Sequence, residues 1–118
     1  MHIQDVHEDI KIWKNRVKEV KEEVAELRKQ LEEVAARSLK DDMAYVQEYE
    51  SRFIRQDEVC DVLFHDLKQL DRSILDYAAG KTVDLQEVLK GPETMRERVT
   101  TFEKLYVELK DGFFEFAG

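Results

Sequence analysis

The chain has very little proline, glycine or cysteine. Pro92 is the only proline among 118 residues, and glycine occurs four times. An all-β fold needs many tight turns and would use more of both, so that class is disfavoured. Cys60 has no second cysteine to pair with inside the chain, which suits a reducing compartment. No apolar run approaches the roughly 20 residues that span a bilayer. The opening "MHIQDVHEDI" lacks both the basic start and the apolar run of a secretory leader. Together these absences predict a cytoplasmic protein without a membrane partner. Positive charge is also in deficit, with 19 basic residues against 27 acidic ones and a net charge of -8. Such a surface repels phosphate backbones, so no nucleic-acid partner is expected. The basic residues Lys11, Lys14, Lys18 and Lys21 alternate with Glu19, Glu22 and Glu23, which makes a solvated, ion-paired helix face and not a membrane-binding one.

Apolar periodicity is abundant. Ile3, Val6, Ile10, Trp13, Val17, Val20, Val24, Leu27, Leu31 and Val34 alternate spacings of three and four without a miss. This is a coiled-coil-like seam, and it predicts a first helix over about 5–36, roughly 48 Å long at 1.5 Å per residue. A second seam runs through Leu39, Val46, Tyr49, Phe53, Gln56, Cys60, Leu63, Leu67, Leu70, Ile74 and Tyr77, predicting a helix over about 39–78. "ARSLKDDM" separates the two. Ser38 and Asp41 have the spacing of a capping box, so the chain is expected to reverse there.

Folding the second helix back on the first with the turn near Lys40 pairs opposite charges. Arg28 then faces Glu50, Lys21 faces Asp57 and His7 faces Asp71, while Arg16 faces Asp66 on the other flank. Exposed pairs add at most about 1 kcal/mol each, and their value lies in setting orientation and register. In the same register Trp13 packs against Leu67 as a buried core residue.

Beyond "YAAGKTVD" the pattern changes. Gly80 suits a helix C-terminus. Asp84 followed by Glu87 caps a possible short helix over 84–90. Pro92 suits the first turn of a last helix over about 92–112, with a seam of Met95, Val99, Phe102, Tyr106, Leu109, Phe113 and Phe116. Placing residue 77 beside residue 93 brings Phe113 near Gln56. The second helix also carries Ile54, Val59, Val62, Phe64 and Leu75 off its seam, more than one neighbour requires. The reading is therefore all-α: one domain over 1–118, an antiparallel up-down-up three-helix bundle with two long helices and a shorter third. The hairpin tip, residues 24–50, then extends past the last helix.

Candidate sites are few. Gln56 interrupts the second seam and reads as a device for packing specificity, as does Trp13 in the first. Glu58, Asp61 and His65 fall near one outward face and form the sole candidate metal or small-ligand group. They match neither the four Cys and His ligands of structural zinc nor the Glu-x-x-His pairs of di-iron bundles. Cys60 sits on the seam in acidic surroundings, where a thiol behaves as a small hydrophobe. No catalytic group and no cofactor are expected.

"FIRQDEVCDVLFHDLKQ", residues 53–69, resembles a segment of small uncharacterised helical proteins of Bacteroidetes-type bacteria. Phe53, Gln56, Asp57, Asp61, Leu63, His65, Asp66 and Lys68 carry the resemblance, and Cys60 stands where those proteins have an aliphatic residue. The resemblance implies no activity but marks Gln56, His65 and Asp66 as a possible recognition surface. The functional expectation is a non-enzymatic interaction or scaffold module that binds a protein partner, or itself, through the hairpin tip. The alternative is a metal- or small-ligand-binding bundle centred on Glu58, Asp61 and His65.

Overall fold

The computed structural model describes residues 2–38 and 40–118, with Asp41 described by its backbone alone. Helix α1 spans Ile3–Arg37, α2 spans Met43–Ala78 and α3 spans Leu85–Ala117, with a 3-10 turn at Lys40–Asp42 before α2. No strand occurs among the described residues. The helices form the expected up-down-up bundle, a rod of 61 × 19 × 17 Å.

Cross-helix pairs give the register. Between α1 and α2 the numbers of His7 and Asp71, Lys21 and Asp57, and Arg28 and Glu50 each sum to 78, as antiparallel helices require. Between α1 and α3, Asp9 meets Arg96, Arg16 meets Glu103 and Glu23 meets Lys110, always 87 residues apart, as parallel helices require. One core runs the length of the rod, and the fully buried side chains come from all three seams. Its composition is uneven. Val17, Val20 and Val24 of α1 and Cys60 of α2 are small, whereas α3 brings Met95, Phe102, Tyr106 and Phe113. Interaxial distance follows side-chain size at the contact, so α1 and α2 run closest while α3 stands further off.

The ends follow local chemistry. Ser38 does not cap α2. It closes α1 as C-cap, with its hydroxyl donating to the Val34 carbonyl at 2.6 Å. A carbonyl left free in the last turn is within one helical turn of that hydroxyl, and this use displaces the capping box. Asp42 precedes α2 without a side-chain cap. The expected start of α2 at Leu39, and the capping role of the Asp41 side chain, lie outside the described residues. Gly80 has φ +76, and the bonds from its N–H to Tyr77 and from Lys81 N–H to Asp76 complete a Schellman end. Asp84 caps α3 by accepting from the N–H groups of Gln86 (2.9 Å) and Glu87 (3.4 Å).

Two expectations for the last helix are corrected. The segments 84–90 and 92–112 are one helix, with Pro92 in its interior. A proline ring clashes with the residue before it when that residue is helical, but here that residue is Gly91, which has no Cβ. Val88 is completely buried ahead of the proline and Asp84 caps the start, so this first segment is held in helix. At the other end α3 continues past Gly112 to Ala117, because its aromatics have partners there. Phe113 packs edge-on against Phe53 with centroids 5.2 Å apart, and Phe116 stacks on Tyr49 at 5.4 Å. Phe113 thus lies at Phe53, about one turn along α2 from the expected level of Gln56. Phe116 also reaches Tyr45, at 5.8 Å. With 33 residues α3 is the shortest helix, yet it nearly reaches the α1–α2 turn, and the hairpin tip does not project beyond it.

Candidate interaction surface

A three-helix bundle has three flanks where neighbouring helices meet, and they differ in chemistry. The α1–α2 flank is closed by charge. His7 and Asp71 approach to 2.6 Å, Arg28 reaches Glu50 at 3.0 Å, and Lys21 reaches Asp57 at 2.9 Å and Asp61 at 2.7 Å. The hydrogen bonds to Asp61 and then Asp57 hold the Lys21 ammonium above the usual lysine range.

The α1–α3 flank is closed more firmly. Arg16 forms two bonds to Glu103, at 2.7 and 2.5 Å, and reaches Glu23 at 3.1 Å. Tyr106, fully buried, donates its hydroxyl to Glu23 at 2.8 Å. Hydrogen bonding to Glu103 raises the Arg16 guanidinium, and the same bond holds the Glu103 carboxyl low. At Glu23, burial alone would raise the carboxyl. The bonds from Tyr106 and Lys110 and the charge of Arg16 outweigh it, so the carboxyl stays low. Burial, reinforced by the Glu23 bond, pushes the Tyr106 hydroxyl up.

This network corrects the Arg16–Asp66 pair. A two-helix register brings those residues together, but α3 offers Glu103 to Arg16 and Arg98 to Asp66, the latter at 3.0 Å. Trp13 is corrected as well. It is half-buried beside the core, with the Arg96 guanidinium over its ring at 5.4 Å. The pairs Lys21–Asp57 and Arg28–Glu50 stand as expected.

Glu58, Asp61 and His65 do not form a centre. Asp61 is engaged by Lys21, Glu58 lies 3.7 Å from Arg55, and His65 is exposed. No group of three or more potential metal ligands occurs among the described residues. Cys60 is buried, and desolvation with the Asp57 charge pushes its thiol up to about 11, which makes it a poor nucleophile.

The α2–α3 flank is different. Asp66–Arg98 is its only cross-helix ion pair among the described residues. Where further charges would stand, α3 has Gly91, Leu105 and Gly112. A Cβ on Gly91 would come within 2.7 Å of Leu70 Cδ1, so the glycine permits close approach there. Two open hollows of about 430 and 420 Å³ adjoin along this flank and share Leu105. Val59, Leu63 and Phe102 floor the first, and Gln56, Arg55 and Leu109 line the second. Leu105 is 53% exposed, and Val62, one turn from Val59, is 56% exposed. Gln56 is 9% exposed and has no side-chain hydrogen bond among the described residues, yet none of its amide atoms is sealed from solvent without a partner. Its amide therefore looks into the hollow, where water can reach it. Of Gln56, His65 and Asp66, only Gln56 lines one of these two hollows; Asp66 pairs with Arg98 and His65 is exposed.

Periodicity alone did not reveal this flank. Leu105 falls off the α3 seam, and only the pairing of Asp66 with Arg98 sets it level with Val59. Among the described residues, no helix is long and apolar enough to cross a membrane. No protein-family model, curated protein or solved structure matches the chain.

Proposed function

We propose that the protein is a non-enzymatic, cytoplasmic helical interaction module whose docking surface is the α2–α3 flank. The exposed apolar stretch of Leu105 and Val62 beside Val59 carries this reading, because it occupies the flank with a single cross-helix ion pair among the described residues. Two helices side by side leave a groove that accepts the apolar stripe of a third, the helix-in-groove mode of recognition. The resemblance at residues 53–69 fits the same surface, since that segment supplies its α2 wall. The flank replaces the hairpin tip as the favoured surface, because α3 runs alongside the tip.

A photo-crosslinking residue in place of Leu105, or of Val62, tests the reading in the native cell. The expected result is a defined protein adduct from both positions and none from Lys18, which is exposed on α1. Equal or absent adducts at all three positions would overturn it.

A further inference from the structure

We infer that the α2–α3 flank is occupied by a second copy of this chain, packed antiparallel across a two-fold axis near Leu105; this rests on the flank being the docking surface. A two-fold interface must be self-complementary: each end of the patch has to suit the opposite end of the same patch. The Asp66–Arg98 pair sets the level of α3 against α2, placing Leu105 beside Val59 and Glu97 beside Leu67. On that scale Arg55 lies about 9 Å to one side of the Val59–Val62 level, and Glu97 about 9 Å to the other. Rotation about an axis at that level therefore carries Arg55 onto the partner's Glu97 and Glu97 onto the partner's Arg55.

Both charges are uncommitted. Arg55 has only the distant contact with Glu58, and Glu97 forms no ion pair among the described residues. Leu105, Val59 and Val62 stand between them, an apolar centre inside a charged rim, which is the usual anatomy of an interface. A face of the rod 61 Å long and 19 Å wide has room for the roughly 800 Å² per partner that a standard interface buries. The net charge of -8 opposes self-association at low salt. Near 0.15 M salt, where screening acts beyond about 8 Å, close pairs persist while the long-range repulsion fades.

Sedimentation equilibrium at that ionic strength tests the inference. Wild-type protein should show a species of twice 14.0 kDa in reversible exchange with the single chain. Leu105→Glu should abolish it. Arg55→Glu and Glu97→Arg should each weaken it by about tenfold or more, as like charges meet twice across the axis. The double variant should restore it. All three substitutions fall on exposed positions, and unchanged helical circular dichroism verifies folding. A wild-type protein that stays a single chain at every concentration, a Leu105→Glu variant that still dimerises, or a double variant no better than the singles would overturn the dimer. Crosslinks from Leu105 to a different protein would also overturn it while leaving the interaction module standing.

Discussion

Gly91→Ala sets two opposing effects against each other where α3 packs on Leu70 of α2. Alanine is favoured over glycine inside a helix by about 0.8–1 kcal/mol, so propensity alone predicts a more stable protein. The structure predicts the reverse. The new Cβ would lie 2.7 Å from Leu70 Cδ1, and Leu70 is 2% exposed, so its side chain has little room to turn away. Overpacking of this kind costs about 1–3 kcal/mol. The Cβ would also meet the ring of Pro92, since a non-glycine residue before proline resists the helical conformation. The balance is a net loss of about 1–2 kcal/mol, shifting the thermal midpoint down by roughly 3–8 °C for a domain of this size. Urea unfolding followed by circular dichroism measures it. In a Leu70→Ala background the contact is gone, so Gly91→Ala should cost at least about 1 kcal/mol less there than in the wild type. A Gly91→Ala protein more stable than wild type by the full propensity difference would refute the reasoning.

Gln56→Leu removes a largely buried amide that has no protein partner among the described residues and should stabilise the fold by about 1 kcal/mol in urea; a marked loss would mean that the amide makes a bond this geometry lacks. Glu103 has a lowered carboxyl, so its stabilisation is present above the ordinary glutamate value of 4.5 and is lost as pH falls below it. Glu103→Gln should therefore lose less stability than wild type between pH 7 and pH 3, and equal losses would remove the Arg16 bond from the account. Cys60, buried and with its thiol pushed up to about 11, should react with iodoacetamide at pH 8 only as fast as the protein opens; labelling at the rate of a free thiol would contradict its burial.

The seams made the three helices legible, because burial of one stripe imposes the three-four spacing directly. The charges flanking the first two seams also gave the α1–α2 register, with Lys21–Asp57 and Arg28–Glu50 where complementarity places them. The third helix was harder for three physical reasons. Proline ordinarily marks a helix start, and Gly91 removes the clash that makes it so. Gly112 weakens a helix by propensity, yet the ring contacts of Phe113 and Phe116 with Tyr49 carry α3 past it. Arg16 had one acid facing it in a two-helix register and found a better one when α3 arrived. The α2–α3 flank was hidden for the same reason: Val59 and Val62 read as surplus apolar residues of α2, and only the level of α3 sets Leu105 beside them.

Trp13 is the chain's single tryptophan, so all of its indole emission reports one place. That place is the seam between the first helix and the last, with the Arg96 guanidinium over the ring at 5.4 Å and Asp9 holding Arg96 at 3.2 Å. A cation held over the indole face polarises its excited state, and departure of α3 would remove the cation and wet the ring together. Intrinsic fluorescence is thereby a selective gauge of whether the third helix is seated. A shift to longer wavelength that precedes the loss of helical signal would time its undocking from an intact α1–α2 hairpin.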